Sequence, residues 1–283
     1  MNQKVTFQNL NKLVRNQSNS TLVMGVVNVT PDSFSDGGKF FTLESAYRQS
    51  VKLIEDGADI IDIGGESSRP GSQPIPLKDE LERTIPLICK IRSNFQDVVI
   101  SIDTTKSKVA EQAILSGANI INDISGLSSD QEMCIVASKY DVPLVIMHMQ
   151  GNPKTMQNAP YYNDLIEDIK SFFEERIQFA IQSGIKKNRI ILDPGIGFGK
   201  SYEDNFKLIN QLEKFCDFEL PVLIGPSRKS FIGIALNEEP EFRLEGTLAA
   251  VAAGILKGAR IVRVHDVAQI KKVAKIIDLI RVA

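Results

Sequence analysis

The chain has 283 residues, 43% of them hydrophobic and 24% charged. That composition belongs to a folded globular protein and excludes a disordered or fibrous chain. Its 33 basic and 35 acidic side chains leave a net charge of −2, so it has no cationic surplus to drive binding to nucleic acid or an anionic membrane. No run reaches the ~18 apolar residues of a membrane span, and the first 20 residues lack the apolar core of a signal peptide. Cys89, Cys134 and Cys216 are odd in number and widely spaced, which fits reduced thiols and not a disulfide frame or zinc site. The expectation is a cytoplasmic protein.

In chain order, residues 1–21 come first and are expected to form a short cap segment over the floor of the fold. A β-branched run at 22–29 is the first strand, and a polar loop at 30–41 leads to an amphipathic helix at 43–56. Strand and helix then alternate: strand 58–63, helix 78–95, strand 98–103, helix 106–116, strand 119–124, helix 131–139, strand 143–147 and helix 163–182. The last part gives strand 189–193, helix 202–215, strand 221–225, helix 245–257, strand 260–264 and helix 267–281. Gly57-Ala58, Gly117-Ala118 and Gly258-Ala259 each follow a helical stretch and precede a β-branched run, the pattern of a helix C-cap leading into a strand. The strands are apolar with little alternation, as in a parallel sheet covered by helices.

Eight β/α units in ~260 residues predict an α/β fold, a (β/α)₈ TIM barrel over 22–283 as a single domain. A doubly wound open sheet is the alternative, but its glycine-rich turn after the first strand is missing. Besides 30–41, long polar loops at 64–77 and 150–162 are candidate lids.

Barrel chemistry sits at the C-terminal strand ends, and here every end carries a polar or ionisable group. Asp103, Asn122 and Asp193 are acceptor-rich and suit a flat heterocycle with N–H donors. Arg69, Lys229, Arg263 and His265 suit an anion. Asn28 offers one neutral oxygen to a Mg²⁺ held mainly by phosphate and water. The ligand inferred is a polar aromatic ring carrying a phosphate or diphosphate. Each residue also has a plainer role. Asp103 could N-cap the next helix, His148 reads as a satisfied interior imidazole, Arg228 and Lys229 as a solvated pair, and Arg263 and His265 as caps of the last helix. The coincidence of eight strand ends favours a site. The run Asp193-Pro194-Gly195-Ile196-Gly197-Phe198-Gly199-Lys200 fails the P-loop spacing and reads as a loop bringing backbone close to a ligand. No Ser-His-Asp order, HExxH or CxxC appears.

The segments Met24–Gly38, Asp62–Gly71, Asn122–Ile124, Met147–Gly151, Asp193–Lys200, Ser227–Ser230 and Arg263–Val267 resemble, in order, the signatures of the dihydropteroate synthase family. That resemblance implies condensation of 6-hydroxymethyl-7,8-dihydropterin diphosphate with 4-aminobenzoate, a step of folate biosynthesis. It assigns the pterin to Asp103, Asn122, Asp193 and Lys229, with Met147 packed on its face. It assigns the diphosphate to Asn28, Arg69, Arg263 and His265, Asn28 also touching Mg²⁺. Ser68, Pro70, Phe198, Lys229 and Ser230 would line the aminobenzoate site, which sulfonamide drugs also occupy, and Ser68 would border the pterin diphosphate as well. Lys229, Arg263, His265 and Arg69 are the expected catalytic side chains, and a homodimer is expected, with residues 248–256 a candidate pairing surface. Ser68 stands where the family often has Thr, and Thr105 where it often has Arg or Tyr. A pterin-dependent methyltransferase, a silent pterin-binding paralogue and a Schiff-base aldolase acting through Lys229 are the rivals.

Overall fold

A computed structural model of the chain describes residues 20–30, 43–157 and 159–283. The expected cap and the loop at 30–41 thus lie, but for residues 20, 21 and 30, outside the described residues. Eight strands appear where apolar runs predict them: β1 Leu22–Asn28, β2 Ile60–Gly64, β3 Val99–Asp103, β4 Ile120–Asp123, β5 Leu144–Met147, β6 Ile190–Asp193, β7 Leu223–Ile224 and β8 Ile261–Val264. All pair in parallel, in the order β6-β5-β4-β3-β2-β1-β8-β7. A parallel bridge between Leu192 and Val222 joins the two ends, so the sheet curls into a nearly closed TIM barrel.

Helices α1 Leu43–Glu55, α2 Leu77–Asn94, α3 Ser107–Leu115, α4 Glu132–Tyr140 and α5 Leu165–Gln182 cover the first five strands. Then come α6 Tyr202–Asn210, α7 Ser230–Leu236, α8 Leu244–Leu256 and α9 Val267–Val282. Gly57, Gly117 and Gly258 follow α1, α3 and α8 with φ of 94°, 111° and 107°, a backbone that L side chains resist. None of the helices among the described residues is long and apolar enough to cross a membrane.

Three elements differ from the sequence expectation. Strand seven shrinks to two residues, because Pro221 and Pro226 on either side of it have no N–H for the ladder. The expected helix at 202–215 stops at Asn210 and a 3₁₀ stretch, Leu212–Phe218, follows. That winding puts residues three apart on one edge, and Phe215 and Phe218 both meet Phe173 edge-on, at 5.8 and 6.1 Å. The short α7, not predicted, starts directly after Lys229.

The core has two shells. Inside the barrel, Leu22, Met24, Ile60, Val99, Ile120, Val145, Ile191, Leu223 and Ile261 form one buried apolar layer. Outside, the opposite strand faces pack on the helices in a larger cluster. Side chains two apart on a strand share a face. The residues two beyond that inner layer therefore also point inward: Val26, Asp62, Ser101, Asn122, Met147, Asp193, Gly225 and Arg263. The interior thus changes from apolar to polar one step toward the C-terminal rim.

Candidate active site

That polar layer is stitched together by charge. Arg263 Nε donates to Asp62 Oδ2 at 2.6 Å, and Nη2 donates to Asp103 Oδ2 at 2.7 Å. Asn122 Nδ2 donates to the same Asp62 oxygen at 3.1 Å. Asp62 Oδ1 is buried and has no partner among the described residues. An unpaired carboxylate oxygen of this kind is costly unless a ligand donor meets it. Burial pushes Asp103 above the ordinary carboxylate range, with Arg263 opposing and Asp62 reinforcing the rise. Burial also raises Asp193 to about 6, opposed by the Gly195 N–H, Arg263 and Lys229. Asp193 Oδ1 accepts that N–H at 2.8 Å. Asp103 is not the N-cap of α3, whose first N–H instead bonds Asp130 Oδ2 at 2.8 Å.

The β6–α6 loop brings backbone and ring to this layer. Gly195, Gly197 and Gly199 all have positive φ. A Cβ on Gly197 would lie 2.7 Å from Lys229 Cδ, so only glycine lets the lysine stem pass. Lys229 Nζ then rests 3.7 Å from the Phe198 ring centroid, a cation–π contact. Burial lowers Lys229 to about 8, helped by Arg263 and opposed by Asp193 and Asp103. Met147, Met156 and Phe198 form a small apolar cluster against Ile124 and Met149, a flat-sided wall beside the polar layer.

The β7 and β8 ends are tied to each other. Arg228, at φ 57°, makes a two-point bond to Asp266, Nε at 3.0 Å and Nη2 at 2.6 Å. Ser227 Oγ accepts from the His265 N–H at 3.2 Å and lies 3.0 Å from Nδ1. His265 stands on the rim. Desolvation, then the cations Arg263 and Arg228, lower it to about 4. The imidazole is therefore neutral at pH 7. The plainer reading of Arg263 as a cap of the last helix does not describe its contacts, which run inward to Asp62 and Asp103, whereas His265 keeps an exposed side chain beside Asp266, the residue before α9.

Two groups of site residues stand away from the layer. Asn28 ends β1, half-buried, and Arg69, Pro70 and Ser230 are exposed while Ser68 is half-buried on the β2–α2 loop. Arg69 makes no ion pair with a described residue and is not drawn to Arg263 or His265. His148 is the interior imidazole expected: its Nδ1 lies 3.0 Å from Lys200 Nζ, and burial, then Lys200, drives it down to about 2. Sequence reasoning passed over Asp62 and Lys200. Lys200 is buried, 2.8 Å from Phe198 O and 3.3 Å from Gly195 O, and it braces the loop that carries Phe198. A charged residue inside the run Ile60-Ile61-Asp62-Ile63 was the available signal for Asp62.

Comparison with known proteins gives the family. The family model described as "Pterin binding enzyme" matches residues 24–265. The dihydropteroate synthase of Synechocystis sp. is 48% identical over 259 residues, 91% of this chain and 89% of that protein. The structure of the Clostridium difficile dihydropteroate synthase in the presence of pteroic acid superposes with a TM-score of 0.87 at 45% identity, covering 92% of this chain and 97% of that one. That of the Xanthomonas albilineans enzyme with 4-aminobenzoic acid does so at 0.87 and 41%, covering 93% and 94%. The chain belongs to the dihydropteroate synthase family of pterin-binding enzymes.

Proposed function

We propose that this chain condenses 6-hydroxymethyl-7,8-dihydropterin diphosphate with 4-aminobenzoate, giving 7,8-dihydropteroate and diphosphate. The single observation that carries this is the polar layer of Asp62, Asp103, Asn122, Asp193 and Arg263 directly above the apolar barrel interior, walled by Met147 and reached by Lys229.

Buried carboxylates and an amide suit the N–H edge of a pterin, since each carboxylate can accept two parallel bonds. In this reading Asp103, Asn122 and Asp193 take that edge and Met147 lies on its face. Arg263 is held on two sides by Asp62 and Asp103, so its remaining N–H groups are fixed in direction toward the diphosphate. Asn28, Arg69 and His265 complete the anion site from the rim. Ser68, Pro70, Phe198, Lys229 and Ser230 line the aminobenzoate side.

The reaction breaks the C–O bond, and the electron pair leaves with diphosphate. Preorganised positive groups stabilise charge that grows as the bond opens, more in the transition state than in the ground state. The arylamine nitrogen then attacks the methylene carbon and loses its proton, so no protein nucleophile is required. Asn28 presents one neutral oxygen, which fits Mg²⁺ arriving with the diphosphate and keeping most of its water. Bound there, the ion would add positive charge beside the leaving group. A homodimer fits a groove of about 590 Å³ lined by α6, α7 and α8, with Phe206, Leu236 and Leu256 exposed on it. A second copy laid on that face would cover these apolar groups.

The test is to mix the protein with dihydropterin diphosphate, Mg²⁺ and 4-aminobenzoate and identify the product. Formation of 7,8-dihydropteroate supports the proposal. No dihydropteroate in that mixture, together with methyl transfer to cobalamin when a methylated folate donor is supplied, would point instead to the pterin-dependent methyltransferase.

A further inference from the structure

A second charge cluster lies behind the β2–α2 loop, and none of the roles above uses it. Glu66 Oε2 accepts two bonds, from the Ile75 N–H at 3.0 Å and from Lys106 Nζ at 2.6 Å. Lys106 Nζ also donates to Glu80 Oε2 at 2.5 Å, and Thr104 Oγ1 donates to Glu80 Oε1 at 2.5 Å. Glu80 is 1% exposed, yet both of its oxygens are satisfied. Burial by itself would lower Lys106, but its bonds to the two glutamates outweigh that and raise it. The cluster thus joins three elements: the neck of the loop, helix α2, and the segment directly after Asp103.

The contact geometry gives this cluster a mechanical role. Glu66 and Ile75 are the two sides of the loop neck, and between them lie Ser68, Arg69 and Pro70. The tip has its own turn, Ser72 N to Arg69 O at 3.0 Å, and one tether, Gly71 N to Pro153 O at 3.0 Å. Below the neck, Arg83 Nη1 donates to Gly65 O at 2.9 Å. A Cβ on Gly65 would lie 2.8 Å from Thr84 Cγ2 and 3.0 Å from Glu80 Cγ, so α2 sits hard against the strand exit. The neck therefore has a rigid base, and Glu66 is the group that closes it.

We infer that Glu66, held by Lys106, which Glu80 in turn anchors, is a positioning residue that closes the neck of the 66–75 loop and so places Ser68 and Pro70 for 4-aminobenzoate. The inference rests on the reading of that loop as the aminobenzoate side of the site. It assigns no substrate contact to Glu66, and it weights the effect toward 4-aminobenzoate, because of the groups assigned to the pterin diphosphate only Ser68 and Arg69 ride on this loop, whereas Asp103, Asn122, Asp193 and Arg263 are anchored on strands.

The test is steady-state kinetics of the full chain with each substrate varied in turn. Glu66→Ala is expected to raise KM for 4-aminobenzoate about tenfold, the scale of a lost charge-assisted bond, with a clearly smaller rise, about threefold, in KM for the dihydropterin diphosphate, to which this loop offers only Ser68 and Arg69. Glu66→Gln should recover most of the loss, since its amide oxygen still accepts from Ile75. Glu66→Asp keeps the charge but is too short to reach both donors, so it carries the test if Glu66→Ala fails to fold. It should show a smaller KM rise and faster hydrogen exchange at the Ile75 amide, with β2 and α2 unchanged. Equal shifts in both KM values, or no shift and unchanged Ile75 exchange, would overturn the positioning role. A wild-type protein without turnover would overturn the aminobenzoate reading itself, a result the variants cannot mimic.

Discussion

The ammonium of Lys229 sits 3.7 Å from the centroid of the Phe198 ring, which places a lysine cation of the site against the aromatic wall of the aminobenzoate side. Two side chains 31 positions apart in sequence meet because Gly197 leaves room for the lysine stem. Lys229→Ala removes a pterin contact and a positive charge together. Turnover is expected to fall by more than ~100-fold, measured as kcat/KM for the dihydropterin diphosphate. Near-normal turnover would remove Lys229 from the catalytic group.

Gly197 tests the same contact from the other side. Its φ of 78° already disfavours a side chain, and a new Cβ would fall 2.7 Å from Lys229 Cδ. Gly197→Ala is therefore expected to displace the lysine and cost at least ~10-fold in kcat, with a stability loss of about 1–3 kcal/mol from backbone strain. Chemical denaturation and kinetics on the same sample check both. Full activity with lowered stability would show that Lys229 does not need this path.

Arg263 neutralises two carboxylates, one of them fully buried. Arg263→Met leaves Asp62 and Asp103 uncompensated, at a cost of about 3–5 kcal/mol. Unpaired buried carboxylates bind protons more tightly in the folded state than in the unfolded one. The deficit should therefore shrink as pH falls through the raised range of Asp103, whose carboxyl burial already lifts against the opposing Arg263, and grow as pH rises. Urea unfolding at pH 5.5 and pH 8 measures this, and affinity for the dihydropterin diphosphate should fall at both. A deficit independent of pH would mean that the carboxylates are satisfied in another way.

The pH dependence of kcat/KM reports the free enzyme's groups. Asp103 and Asp193, both raised by burial, the latter to about 6, must be ionised to accept pterin N–H groups, so activity should climb through pH 6 and on toward pH 7. Lys229, lowered to about 8 by burial, loses its charge above that value, so activity should fall through pH 8. His265, lowered to about 4 by desolvation and its cationic neighbours, stays neutral across the range. In Lys229→Arg the residual activity should lose its alkaline limb. An unchanged limb would assign it to another group, for which Lys200, lowered to about 7 by burial, is placed.

Much of this site is visible in the sequence because barrel strands repeat every two residues. Ile120 and Asn122, Ile191 and Asp193, Ile261 and Arg263 each put an apolar residue below and a polar one above on the same inward face. The strand ends therefore mark Asp103, Asn122, Asp193 and Arg263 without any knowledge of their partners. The partners are another matter. Arg263 and Asp62 are 201 positions apart, and no local pattern says that one neutralises the other. The same holds for Lys200 and His148, and for Glu66 and Lys106. Strand seven and the 3₁₀ stretch after α6 escaped for a different reason: prolines and a ring cluster around Phe173 override the local preference. Arg69 carries the right chemistry for an anion, but its loop holds it on the exposed side of the rim.

Product analysis bears most directly on the central claim. The account predicts that wild-type protein given dihydropterin diphosphate, 4-aminobenzoate and Mg²⁺ releases diphosphate and 7,8-dihydropteroate in equal amounts, and that Lys229→Ala and Arg263→Met release far less of both. Diphosphate release without dihydropteroate, or no reaction from a folded wild-type protein, would contradict it.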